Sequence, residues 1–200
     1  MEQSDTSGSW YTERLRSRPQ AAWKRIIPNP YRWNLRRLRL GRVLDVGCGV
    51  GRCLDFLDGN GVGVDHNPTS VDETRMRGFE AYTPEQLAAR NVGLFDSLLL
   101  SHVIEHLDAA AGEGLVRSYL PYLRAGGRVV VITPQEAGQR SDPTHVQFVD
   151  AEAARSLLGK LGFSDVRVRS FPFPRRVGRF FVHNETIATG TLAGVARLAD

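Results

Sequence analysis

Cysteine is nearly absent from this 200-residue chain: Cys48 and Cys53 are the only two, five positions apart in one glycine-rich segment. That scarcity excludes a disulfide framework, and an isolated C-x4-C pair does not make a zinc site. Lysine is scarce too, Lys24 and Lys160 being the only two among 26 basic residues. Long apolar runs are missing. The longest, at 92–100, carries Asp96, whereas a membrane span needs about 20 largely apolar residues. Residues 1–8 are polar and partly acidic with no apolar core, so they match neither a secretory signal nor an arginine-rich transit peptide, and a cytoplasmic location is expected. With 42% hydrophobic and 24% charged residues, 20 Gly and 10 Pro, the composition rules out collagen, coiled coil and wholesale disorder. The length suits one domain able to bury about 70% of the surface that its unfolded chain exposes.

The formal net charge of +4 is unevenly spread. Residues 13–42 hold ten Arg or Lys against one acid, and residues 167–179 hold five Arg against none. Such clusters suit nucleic acid, anionic head groups or phosphorylated substrates, or simply form a solvated face. No aromatic residues interleave them in an RNA-binding pattern, so nucleic acid is the less favoured partner.

Two regions are expected: a tail with a helical cap at 1–40, and a main domain at 41–200. The segment 10–40 is aromatic and basic, is broken at Pro28-Asn29-Pro30, and reads as two short helices. Beyond Gly41, β-branched runs alternate with helical stretches, the pattern of βαβ units on a parallel sheet. Strands are expected at 42–46, 61–65, 79–82, 95–101, 127–133 and 163–170. Helices are expected at 51–57, 68–77, 84–89, 109–124 and 151–161. A last strand within 180–192 would run antiparallel.

The sharpest local pattern is Val43-Leu44-Asp45-Val46-Gly47-Cys48-Gly49-Val50-Gly51-Arg52, a strand running into a glycine turn and then a helix. Glycines at 47, 49 and 51 let the backbone approach a nucleotide-like ligand. A dinucleotide fingerprint would place its third glycine at position 52, which is Arg52, so the spacing disfavours NAD. Asp45 would repel a pyrophosphate and attract a cation. S-adenosylmethionine has a sulfonium, an ammonium and no phosphate. Asp65, at the end of the second expected strand, is placed to accept hydrogen bonds from ribose hydroxyls.

This segment resembles motif I of the class I S-adenosylmethionine-dependent methyltransferases, and Gly61-Val62-Gly63-Val64-Asp65 resembles their ribose-binding motif. Residues 95–107 are similar to their fourth strand and its exit, and residues 123–128 to the turn before their fifth. The resemblance implies an α/β, Rossmann-like fold: a seven-stranded, mostly parallel sheet with helices on both faces and a helical N-terminal cap. It implies S-adenosyl-L-methionine as cofactor and S-adenosyl-L-homocysteine as product. Cofactor residues would be Asp45, Gly47, Cys48, Gly49, Gly51, Asp65 and His66, with Thr83 and Pro84 flanking the adenine and Ser101 and His102 beside the methionine moiety. Thr83 stands where the family often has an acid.

For the chemistry, His102, Glu105, His106 and His145 fall just after the fourth and fifth strands, the edge where open α/β sheets bind ligands. The H-x-x-E-H run at 102–106 has the spacing of inverzincin peptidases but begins at a strand end instead of on a helix. Glu105 would sit in the first turn of a helix. His145 is the candidate general base, because methyl transfer to an alcohol requires removal of the hydroxyl proton. Asp142, His145 and Glu105 are candidate ligands should Mg2+ take part.

Sequences typical of nucleic-acid N-methyltransferases, cytosine C5 enzymes and protein arginine methyltransferases are missing. A small-molecule or oligosaccharide acceptor remains, with an RNA or other macromolecular acceptor as the alternative. The aromatic residues Trp10, Tyr11, Trp23, Tyr31, Trp33, Phe171 and Phe173 suit stacking on sugar rings, or packing. The chain as a whole is similar to compact actinobacterial sugar methyltransferases of polysaccharide synthesis, a mannoside 1-O-methyltransferase among them. Homodimerisation is left open.

Overall fold

A computed structural model describes residues 29–193. Its seven strands form one sheet in the order β3-β2-β1-β4-β5-β7-β6. The strands are β1 (Val43–Val46), β2 (Gly61–Val64), β3 (Ala81–Tyr82), β4 (Phe95–Ser101), β5 (Leu123–Pro134), β6 (Phe163–Phe171) and β7 (Glu185–Leu192). The pairs β1–β2, β1–β4, β2–β3 and β4–β5 are parallel, while β7 runs antiparallel between β5 and β6. The expected sheet, including its late antiparallel strand, is therefore present. Chain order reverses across β1 and β4, which opens a crevice at their C-terminal ends.

The helices are α1 (Pro30–Arg37), α2 (Arg52–Phe56), α3 (Pro68–Met76), α4 (Pro84–Ala88), α5 (Ala109–Tyr119), α6 (Glu136–Arg140) and α7 (Ala151–Lys160). Local chemistry sets their starts. Asn29, Asn67, Thr83, Asp108 and Asp150 each accept backbone N–H bonds as N-caps, and proline stands in the first turn of α1, α3 and α4, where its missing donor costs nothing.

β1 and β4 are buried on both faces, as a central parallel strand must be. Leu44, Val46, Leu98, Leu100, Val129 and Val131 point into one core layer. Val43, Leu99, Val130 and Ile132 point into the other, where Leu35 of α1 and Phe171 also pack. This is the period-two alternation of strands translated into two layers.

Several expected boundaries shift. The helix expected over 109–124 ends at Tyr119, because Pro121 forces a 3-10 turn at Leu120–Tyr122. β5 starts at Leu123 instead of 127, pairing Leu123 with Phe95. The third strand shrinks to Ala81–Tyr82, and the last begins at Glu185. Part of the polar stretch after β5, read as a loop, forms α6. Glu105 is not in the first turn of an α-helix but in a 3-10 turn, Ile104–His106. Of the expected N-terminal cap, the first helix lies outside the described residues. The second is α1, and it packs on the sheet, with Asn34 buried and accepting from Arg169 Nη2 at 2.6 Å.

Candidate functional site

The turn after β1 is held open by backbone geometry. Gly47 and Gly51 have φ of 73° and 72°, the left-handed region that disfavours side chains. A Cβ on Gly47 would lie 2.4 Å from Val103 Cγ2, and one on Gly51 would lie 2.8 Å from Thr74 Cγ2. The first contact ties the glycine turn to the exit of β4, so the two expected halves of the site are neighbours. Asp65 closes the turn: Oδ2 accepts from Gly49 N at 2.8 Å and Oδ1 from Asn67 N at 2.9 Å. Each carboxylate oxygen keeps a second lone pair for a ribose hydroxyl. His66 is beside it, Nδ1 3.5 Å from Asp65 Oδ1.

Asp45 lies beneath the turn, 1% exposed, with Oδ2 lacking a hydrogen-bond partner. Burial first, and then the charge of Asp65, push its pKa up from the usual 3.8 to about 7. A buried carboxylate so disfavoured is an electrostatic trap for a cation.

The remaining residues expected at the cofactor divide. Cys48 turns into the core: its thiol packs toward Gly63, beside Val71 and Ala81, and burial pushes its pKa up. Thr83 caps α4, donating to Glu85 Oε2 at 2.7 Å and accepting from Gln86 N at 3.3 Å, and Pro84 is the first helical residue. Ser101 ends β4, half-buried, its backbone paired with Ile132 of β5.

At the exit of β4 the chain makes a sharp turn, with His102 at φ 59°. Its ring sits between two carboxylates, Nδ1 3.0 Å from Glu105 Oε1 and Nε2 2.8 Å from Glu185 Oε1. Burial opposes a charge there, yet the two hydrogen bonds and the two negative charges prevail and raise the His102 pKa to about 10. His102 is therefore an imidazolium at neutral pH. It orients Glu105 and Glu185 and has no lone pair with which to take a proton. Glu185 has no signal in the local pattern; only the antiparallel register, which sets it opposite Pro134 and Phe171, delivers it.

His106 and His145 differ from His102. His106 Nδ1 is 3.1 Å from Thr144 O, and His145 Nδ1 is 3.1 Å from Gln139 O. A carbonyl only accepts, so Nδ1 carries a proton in each ring and Nε2 is the nitrogen that offers a lone pair in the neutral form. Burial lowers the His106 pKa, keeping that ring neutral. The rings meet edge to face, centroids 4.9 Å apart. One donor atom each from Glu105, His106 and His145 lie within 4.8 Å of one another. Asp142 does not belong to this group: its Oδ1 accepts from Thr144 N and Oγ1, and it shapes the loop that carries His145. The H-x-x-E-H spacing does not act as a peptidase helix, since it straddles a strand end and a 3-10 turn.

Among the aromatics, Phe171 is 9% exposed and is packed edge-on against Tyr31 and stacked on Trp33. It belongs to the core and is not a free stacking platform. Phe173 stays half-exposed against Phe181. Trp10, Tyr11 and Trp23 lie outside the described residues.

This arrangement defines a class. A Rossmann-like sheet with a glycine turn after β1, an acid after β2 and a polar cluster after β4 and β5 is that of the class I S-adenosylmethionine-dependent methyltransferases. The chain belongs to the methyltransferase domain family, whose model matches residues 11–168. Its fold is similar to an S-adenosylmethionine-dependent methyltransferase from Archaeoglobus fulgidus, at 20% identity and TM-score 0.68, covering 92% of this chain and 100% of that one. It is also similar to magnesium protoporphyrin IX methyltransferase from Synechocystis with bound S-adenosylhomocysteine, at 16% identity and TM-score 0.66, covering 95% and 98%. An N-methyltransferase from Bradyrhizobium japonicum in complex with S-adenosylhomocysteine matches at 19% identity and TM-score 0.66, covering 94% and 99%. No curated protein matches in sequence. The expected mannoside acceptor has no counterpart among these three neighbours, and no described helix is long and apolar enough to cross a membrane.

Proposed function

We propose that this protein transfers the methyl group of S-adenosylmethionine to a hydroxyl oxygen of a small or oligomeric acceptor, a sugar being the favoured class. The observation that carries this reading is the pair of imidazoles, His106 and His145, each held through Nδ1 on a backbone carbonyl and lying with Glu105 at the C-terminal edge of the sheet. An alcohol is a poor nucleophile until its proton leaves, whereas amines and thiolates need less help.

In this reading the donor lies over the glycine turn, Asp65 takes the ribose hydroxyls, and Asp45 faces the cationic moiety. The acceptor oxygen attacks the methyl carbon in line. A C–O bond forms as the C–S bond breaks, the sulfur keeps the electron pair as S-adenosylhomocysteine, and the hydroxyl proton leaves to the imidazole lone pair of His145. His102, already protonated, holds Glu105 in place.

His145→Gln keeps the size and some hydrogen bonding but removes the basicity. Turnover should fall by about 10²- to 10⁴-fold with cofactor affinity nearly unchanged. Product analysis after incubation with labelled donor and fractionated sugars, phenolics and RNA identifies the methylated atom; methylation of nitrogen, or wild-type turnover by the Gln variant, rejects the reading.

A further inference from the structure

Glu105 is the least expected group in the described residues. It is fully buried, Oε1 accepts from His102, and Oε2 has no hydrogen-bond partner. The large majority of buried side-chain polar atoms are matched, because an unmatched one forfeits its solvation. Next to it are His106 and His145, each with Nδ1 3.1 Å from a backbone carbonyl. One ring nitrogen of each lies with a Glu105 carboxylate oxygen within 4.8 Å. Two imidazoles thus converge on a buried carboxylate that has an oxygen without a partner, an arrangement that a cation resolves.

We propose that Glu105, His106 and His145 bind a divalent transition-metal ion of the Mn2+ to Zn2+ series. Two imidazoles and one carboxylate are the donor set that such ions favour, whereas Mg2+ prefers oxygen ligands throughout. Each donor is oriented by a fixed outer partner: Thr144 O for His106, Gln139 O for His145 and the His102 imidazolium for Glu105. Such support fixes the tautomer and the direction of the lone pair, as metal-binding histidines require. Bonds of about 2.0–2.2 Å would set tetrahedral donors roughly 3.3 Å apart. The observed spread, within 4.8 Å, thus contracts by an ångström or so on loading, within the reach of ring rotation. With three protein ligands the ion keeps an open position, the mark of a catalytic site, suited to an oxygen of the acceptor. The ion's role rests on the reading of this edge as the acceptor side: it would lower the pKa of a bound acceptor hydroxyl so that its proton passes to solvent water, with His145 then a ligand instead of the base. Metal binding itself needs neither acceptor nor methyl donor, so either proposal can fail alone.

The test uses the full chain, dialysed against a chelator and titrated with Co2+ and then Zn2+ without donor or acceptor. Calorimetry should give one ion per chain, and Co2+ should develop visible ligand-field bands that Zn2+ displaces. His106→Ala and His145→Ala should each weaken binding at least about 100-fold, since even outer partners of a ligand cost 10- to 100-fold, while His183→Ala should not change it. Imidazole NMR signals of His106 and His145 in the wild-type protein should broaden with stoichiometric Co2+, a readout that holds even if a variant fails to fold. Absence of saturable binding, binding untouched by both His substitutions, or broadening confined to other histidines would overturn the proposal.

Discussion

Two carboxylates, Asp45 and Asp65, lie at the glycine turn after β1, and their surroundings separate them. Asp65 is matched by two backbone donors and keeps spare lone pairs. Removing its charge-assisted hydrogen bonds should cost roughly 1.5–3 kcal/mol, so Asp65→Ala is expected to weaken S-adenosylmethionine about 10- to 150-fold by calorimetry. Unchanged affinity in a folded variant removes the ribose assignment. Asp45 has no such donors and titrates near neutrality. Because its folded-state pKa is raised, the stability it contributes is complete below about pH 4 and is lost as pH rises through about 7. A bound sulfonium favours the carboxylate form, so cofactor binding near pH 7 should release protons. Binding heats that differ between buffers of unlike ionisation enthalpy, and cease to differ in Asp45→Asn, are the expected result; equal heats in wild type reject it. His102 follows the same linkage sign: its raised pKa gives stability present below about 6.5 and lost toward about 10.

At the scale of elements, α1 changes the meaning of the N-terminal region. The sequence at 10–40, aromatic and basic with a proline break, suggests a lid over the acceptor pocket that orders when ligand binds, and α1 is the part of it within the described residues. The structure packs its Leu35, 3% exposed, into the same layer as Val43, Leu99 and Ile132, and buries Asn34 against Arg169. An element so anchored should be ordered without ligand. Hydrogen exchange at Trp33 and Leu38, whose amides bond to Asn29 and Asn34 carbonyls, is expected to be slow in the free protein and little altered by cofactor. Fast exchange that slows on binding would restore the lid. Leu35→Ala should cost about 2–5 kcal/mol in denaturant unfolding, as for other buried leucines.

For the whole molecule, the basic excess is partly absorbed internally. Arg32 and Arg36 converge on Asp58, Arg124 pairs with Asp96, and Arg175 forms a two-point pair with Glu136. Charges spent on neighbours are poorly placed to track a phosphate backbone. A protein making 6–10 phosphate contacts loses about 10³ to 10⁵ in affinity between 50 and 200 mM salt. Acceptor affinity here should change by less than about tenfold over that range. A steep salt slope would instead favour the macromolecular alternative.

Short-range chemistry was legible in the chain by itself: the alternation that makes strands, the caps that start helices, the glycine turn and the acid after the second strand. These depend on residues within a few positions of one another, which is why β4 (Phe95–Ser101) was placed to the residue and motif I was unmistakable. The helix end before Pro121 was misjudged although the local signal was there, whereas the short third strand was misjudged because pairing with a neighbour, not local preference, decides where a strand ends. The roles of the histidines were not legible. The sequence singles out His145 as the base and sets His102 beside the methionine moiety, but the fold shows His102 held as a cation by Glu105 and by Glu185, 83 residues away, while His106 and His145 are anchored through Nδ1 on the Thr144 and Gln139 carbonyls. Protonation state is set by charges and dipoles within a few ångströms, and only the folded sheet, with β7 inserted antiparallel beside β5, brings those groups within that distance.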